Sequence, residues 1–160
     1  MALKVVLVHP YLGVLGGGER VCFYTIRSLL EYGCDVTLII QRVEEERIEA
    51  VSGFNRFGEI THVPYPDFEP RMSRFRVYQR MLHHLLARRK FKGLRFDVKF
   101  LTQDVGFNMC RSDACIAYIH YPEFFAHLEQ SPDSILWKGY YWPLHRYWMR
   151  QATEVNAFLA

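Results

Sequence analysis

Gly16-Gly17-Gly18-Glu19-Arg20 is the first stretch of this chain whose residue types and spacing suggest chemistry. It follows an apolar segment, Leu3 to Val8, and opens an amphipathic one, Val21 to Tyr32. A strand, a glycine loop and a helix start, in that order, build an anion site. Glycine lets backbone come close to a ligand, and the first N–H groups of a helix have no acceptor within it. A phosphate or diphosphate suits such a site. Three consecutive glycines also cost more backbone entropy than a turn requires. The spacing Gly13-x-x-Gly16-Gly17-Gly18 matches neither the dinucleotide fingerprint nor the P-loop. The second apolar run ends in Gln41-Arg42, where a dinucleotide site usually places a carboxylate for the ribose. Glu19 either caps the helix or meets sugar hydroxyls. Arg20 is either surface charge or a partner for an anionic ligand.

A second candidate closes the apolar run Ala114 to His120, just before Tyr121-Pro122. A histidine at a strand end is either structural or, as a neutral imidazole, a hydrogen-bond partner for a hydroxyl or phosphate oxygen. His9-Pro10-Tyr11 ends the first apolar run, where His9 is read as shaping the loop. No serine sits in an elbow motif and no nucleophile–base pair stands out, which argues against a self-contained hydrolase. Cys22, Cys34, Cys110 and Cys115 form no CxxC pair and have no metal spacing. They read as reduced and mostly buried, as in a cytosolic protein.

These residues need a scaffold. The apolar runs Lys4–His9, Asp35–Gln41, Glu59–Val63, Asp97–Leu101, Ala114–His120 and Glu154–Ala160 read as strands. Val43–Ser52, Arg71–Phe91 and an aromatic stretch, Leu136–Ala152 interrupted by Pro143, read as helices. Alternation of this kind predicts an α/β fold, a doubly wound parallel sheet with helices on both faces. At 160 residues, half of them apolar, the chain is about one domain with a real core. Ligands in such sheets lie beyond the carboxyl ends of the strands. The glycine loop, Asp104 and His120-Tyr121 all belong to that edge. No apolar run is long enough to span a bilayer.

Charge is distributed unevenly. Arg71, Arg74, Arg76, Arg80, Arg88, Arg89, Lys90, Lys92 and Arg95 fall in one segment without a single carboxylate, while all 17 acidic residues lie elsewhere. Phe75, Tyr78, Met81, Leu82, Leu85 and Leu86 give the same segment an apolar stripe at helical spacing. It reads as a solvated helix face or as an element lying on an anionic membrane surface, where each cation contributes roughly 1 kcal/mol. No nucleic-acid module accompanies it, so nucleic acid is not an expected partner. The aromatics of the stretch from Trp137 to Trp148 pack on the sheet or sit at a bilayer interface.

His9-Pro10-Tyr11, Gly16 to Val21 and Tyr118-Ile119-His120-Tyr121-Pro122 together resemble the N-terminal domain of family-4 glycosyltransferases of the GT-B fold. The likeness is greatest to the dolichol-pathway α-1,2-mannosyltransferases and covers nearly the whole chain. It implies one Rossmann-like half of a two-domain enzyme, residues 1–160 forming the acceptor side. The donor-binding C-terminal domain would not be in this chain, leaving the 160 residues alone catalytically silent. It implies that Gly16, Gly17 and Gly18 approach the diphosphate of a nucleotide sugar such as GDP-mannose. His120 would touch the transferred sugar, and Glu19, Arg20, Asp104 and Tyr121 would lie near the acceptor. Retaining transfer of this family uses no metal and no covalent protein nucleophile. The acceptor would be a lipid-linked or other glycan. The basic helix would hold the domain on the cytoplasmic face of a membrane.

Overall fold

The computed structural model describes residues 2–10, 16–42, 44–68, 75–103, 105–118 and 135–159. Six strands form one sheet in the order β3-β2-β1-β4-β5-β6. They are β1 Lys4–Val8, β2 Asp35–Ile40, β3 Thr61–Pro64, β4 Arg95–Leu101, β5 Arg111–Tyr118 and β6 Ala157–Leu159. Every pairing is parallel. Among the described residues four helices accompany them: α1 Gly17–Glu31, α2 Glu45–Ser52, α3 Arg76–Phe91 and α4 Ile135–Ala152. The fold is a Rossmann-like, doubly wound α/β domain.

Alternation along the strands assigns the two faces. Val5, Leu7, Val36, Leu38 and Ile40 join Cys22, Phe23 and Ile26 of α1 and Ile48 of α2 in one core. Val6, Val8, Ile39, Leu101 and Ala117 join Ala87 and Phe91 of α3 in the other, with Trp148 of α4 packed against it. β1 is buried on both sides, which is why Val5 to Val8 reads as an unbroken apolar run. Each fully buried Phe, Leu or Ile here contributes roughly 2 kcal/mol.

The helices end where glycine permits. Gly33 and Gly53 take φ of 73° and 65°, the left-handed conformation that closes α1 and α2. The third strand lies slightly later than the apolar run suggested. Phe57–Glu59 is a 3-10 turn, and pairing with β2 begins at Thr61. Pro64 is tolerated because β3 is an edge strand.

One expectation is corrected. Pro143 does not interrupt α4, which runs unbroken from Ile135 to Ala152. Tyr141 and Leu144, both buried, clamp the proline turn, and the Tyr78 hydroxyl on α3 donates to the Tyr140 carbonyl there. The apolar stripe of α3 is divided between a packed side and an outward one. Ala87 and Phe91 face the sheet, buried His84 packs against Phe107 and Tyr147, and Tyr78 and Met81 pack toward α4. Phe75, Leu82, Leu85 and Leu86 remain exposed.

Candidate functional site

β1 delivers the chain to the carboxyl edge of the sheet at His9 and Pro10. The Gln41 N–H donates to the Pro10 carbonyl and the His9 N–H to Ile39, so the extended chain stays in register past the strand end. His9 is buried. Its Nδ1 lies 2.9 Å from the Thr102 hydroxyl, and Nε2 has no partner among the described residues. Burial holds its pKa down at about 4. Thr102, which directly follows β4, also donates to the Val8 carbonyl and bonds the Cys22 thiol of α1. Burial raises that thiol to about 12, so Cys22 is a packing residue rather than a nucleophile. This trio fastens the start of α1 over the ends of β1 and β4.

On that foundation Gly16 is the N-cap of α1 and Gly17 and Gly18 form its first turn. The Arg20 N–H closes the turn on the Gly16 carbonyl at 3.3 Å, leaving the N–H groups of Gly17, Gly18 and Glu19 without intrahelical acceptors. Glu19 takes the capping role: its Oε2 accepts from the Gly16 N–H at 2.9 Å. Arg20 is exposed at the same end.

Gly18 is explained neither by backbone geometry nor by crowding. None of the three glycines has positive φ. A Cβ added at Gly18 would meet nothing within 4 Å. Alanine at a first-turn position should be more stable than glycine by up to about 1 kcal/mol. Gly18 thus leaves open space at the first turn of α1, at the edge where such sheets bind ligands.

His120, Tyr121 and Asp104 lie outside the described residues, as do Arg71 and Arg74 of the basic segment. Arg76 opens α3. Arg80 and Arg88 are half-buried, with Arg88 3.4 Å from the Gln151 amide oxygen. Arg89, Lys90 and Lys92 are exposed at the carboxyl end of α3, where cations complement the helix dipole. Leu82, Leu85, Leu86 and Arg89 recur at spacings of three, four and seven, so one outward face of α3 carries leucines beside cations. Leu82 is 58% exposed and Leu86 54%.

Two groups escaped the sequence reading. Thr102 gives no local signal, because its importance lies in partners 80 and 93 residues away in sequence. Lys99 sits in the apolar context of β4, yet it is a buried cation. Among the described residues, no group of histidines, cysteines or carboxylates could hold a metal, and no helix is long and apolar enough to cross a membrane. Comparison of the chain with protein-family models, with curated proteins and with solved structures finds no match.

Proposed function

We propose that this chain is the N-terminal, acceptor-side domain of a retaining glycosyltransferase. The enzyme would move a hexose, mannose in this reading, from a nucleotide sugar such as GDP-mannose to a lipid-linked glycan at the cytoplasmic membrane face. One observation carries the reading: Gly18, which neither backbone conformation nor packing requires, lies in the first turn of the first helix, on the ligand edge of a Rossmann-like sheet. Gly17 and Gly18 offer N–H groups to the donor diphosphate, whose charge grows as the sugar leaves. His120 meets the transferred sugar. Asp104, Tyr121, Glu19 and Arg20 serve the acceptor side. A second domain supplies the main donor contacts, and its closure excludes water.

The outward face of α3 favours a second reading, a non-catalytic module that binds an anionic membrane surface. A transfer assay separates the two. The enzyme carrying this domain together with a donor domain should move mannose from GDP-mannose to a lipid-linked acceptor. Gly18→Ala should lower its kcat/KM at least about tenfold, the scale of one lost charge-assisted contact. Membrane binding with no transfer under any donor would leave only the module.

A further inference from the structure

We infer that the domain has a second anion site, at the sheet edge opposite the glycine loop, which takes a ligand bearing clustered phosphates. It is independent of the glycosyltransferase reading. All six strands are parallel, so the starts of β4 and β5 lie at the far edge from the loop that follows β1. There a groove of about 900 Å³ opens between the sheet and the carboxyl ends of α3 and α4. Among the described residues between β4 and β5 there is a 3-10 turn, Val105–Phe107, and no helix, where a crossover helix commonly lies.

Its charge is one-sided. Arg88, Arg89 and Lys92 come from α3, Arg95 and Lys99 from β4 and Arg111 from β5, against Asp113 and Glu154 alone. The helix dipole accounts for cations at the end of α3, but not for those on the strands. Arg95 and Arg111 are register partners on adjacent strands, a placement that like charges disfavour. Asp113, 2.9 Å from Arg95, relieves one of them. Arg111 and Lys92 have no carboxylate partner among the described residues.

Lys99 is the most telling residue. It is 3% exposed, yet its ammonium is bonded only to neutral oxygens, the Asn108 amide and the Cys110 carbonyl at 3.0 Å. An ammonium has three protons to donate, and the third has no acceptor among the described residues. Glu154, a carboxylate of this network, accepts from the Asn108 amide at 2.6 Å and forms no ion pair with Lys99. A buried cation with a spare donor at the base of a cationic groove is matched by an anion, not by water alone. The groove is large enough for more than one phosphate, and the ring of arginine and lysine around it suits their several oxygens.

Two sources supply that chemistry, a soluble phosphorylated compound and the phosphorylated headgroup of a lipid. The test titrates the 160-residue chain with inorganic diphosphate, then with phosphatidylcholine vesicles carrying phosphatidic acid. Diphosphate binding with Kd of about 1 mM or tighter would identify a soluble ligand; binding to the vesicles alone would identify a headgroup. In either case Arg111→Gln and Lys92→Gln, both at exposed positions, should each weaken binding about tenfold with an unchanged circular dichroism spectrum. Binding that is lost in Gly18→Ala would belong to the glycine loop and would count against the groove. Lys99→Met should abolish the rise in Tm that the bound anion produces. The inference is overturned if neither probe binds, or if binding keeps full affinity in the Arg111→Gln, Lys92→Gln double variant.

Discussion

Alanine at position 18 separates two demands on one residue. With open space around the new methyl group and no positive φ, Gly18→Ala should stabilise the fold by up to about 1 kcal/mol in urea unfolding. The same change should weaken diphosphate contact in the functional site. A substitution that stabilises while it disables marks a residue kept for a ligand; lost stability would mean that the glycine serves packing. Glu19→Ala should instead cost about 0.5–1 kcal/mol, because the Gly16 N–H loses its acceptor. The buried histidines set an acid limit. Burial holds His9 at about 4, and burial with repulsion from Arg88 and His83 holds His84 at about 3, against 6.5 for an ordinary imidazole. Above pH 6.5 neither state binds these protons, so no stability depends on them. As pH falls from 6.5 toward 4, the unfolded chain takes up protons that the folded chain refuses. Stability then falls, with a limiting slope of about 1.4 kcal/mol per pH unit for each ring. His84→Phe, which keeps a ring against Phe107 and Tyr147, should remove about half of that slope in urea midpoints measured across the range. An unchanged slope would show that His84 is protonated in the fold.

α3 shows what a sequence can and cannot reveal about an element. Its existence and its basic character follow from residue spacing alone. Its orientation does not, because the helix carries two apolar sectors and periodicity does not say which one is buried. Tertiary partners decide: Ala87 and Phe91 meet the sheet, His84 meets Phe107 and Tyr147, and Leu82 and Leu86 are left outward. The burial of β1 and β2 was legible through their unbroken apolar runs, while the strand order was not, because it rests on pairing between distant segments. Pro143 misled because local propensity disfavours a mid-helix proline, while the packing around that turn, including Tyr78 on α3 bonded to the Tyr140 carbonyl, comes from residues distant in sequence. The glycine loop of the candidate site was legible because its chemistry is local. Thr102 and Lys99 were not, since their roles depend on strands brought together from distant sequence. The exposed face of α3 makes its own prediction. Leu82→Glu with Leu86→Glu should abolish co-sedimentation with anionic vesicles and leave the urea midpoint within about 0.5 kcal/mol of the parent. Retained vesicle binding would move the membrane contact elsewhere.

At the scale of the whole molecule the parallel sheet separates two charged ends. The carboxyl edge carries the capped start of α1, and the amino edge carries the cationic groove. In the proposed enzyme only the first belongs to catalysis, and it is half of a site. The 160-residue chain alone should therefore transfer no sugar, and turnover by it would refute the division of labour. The central claim, that the glycine-capped helix start meets a nucleotide-sugar diphosphate, is tested most directly by amide-resolved NMR. The chain would be titrated with GDP-mannose. The account predicts saturable shifts at the Gly17, Gly18 and Glu19 amides, with Kd of about 1 mM or weaker and loss of the response in Gly18→Ala. Amides at these three positions that stay unmoved while residues of the groove respond would contradict it.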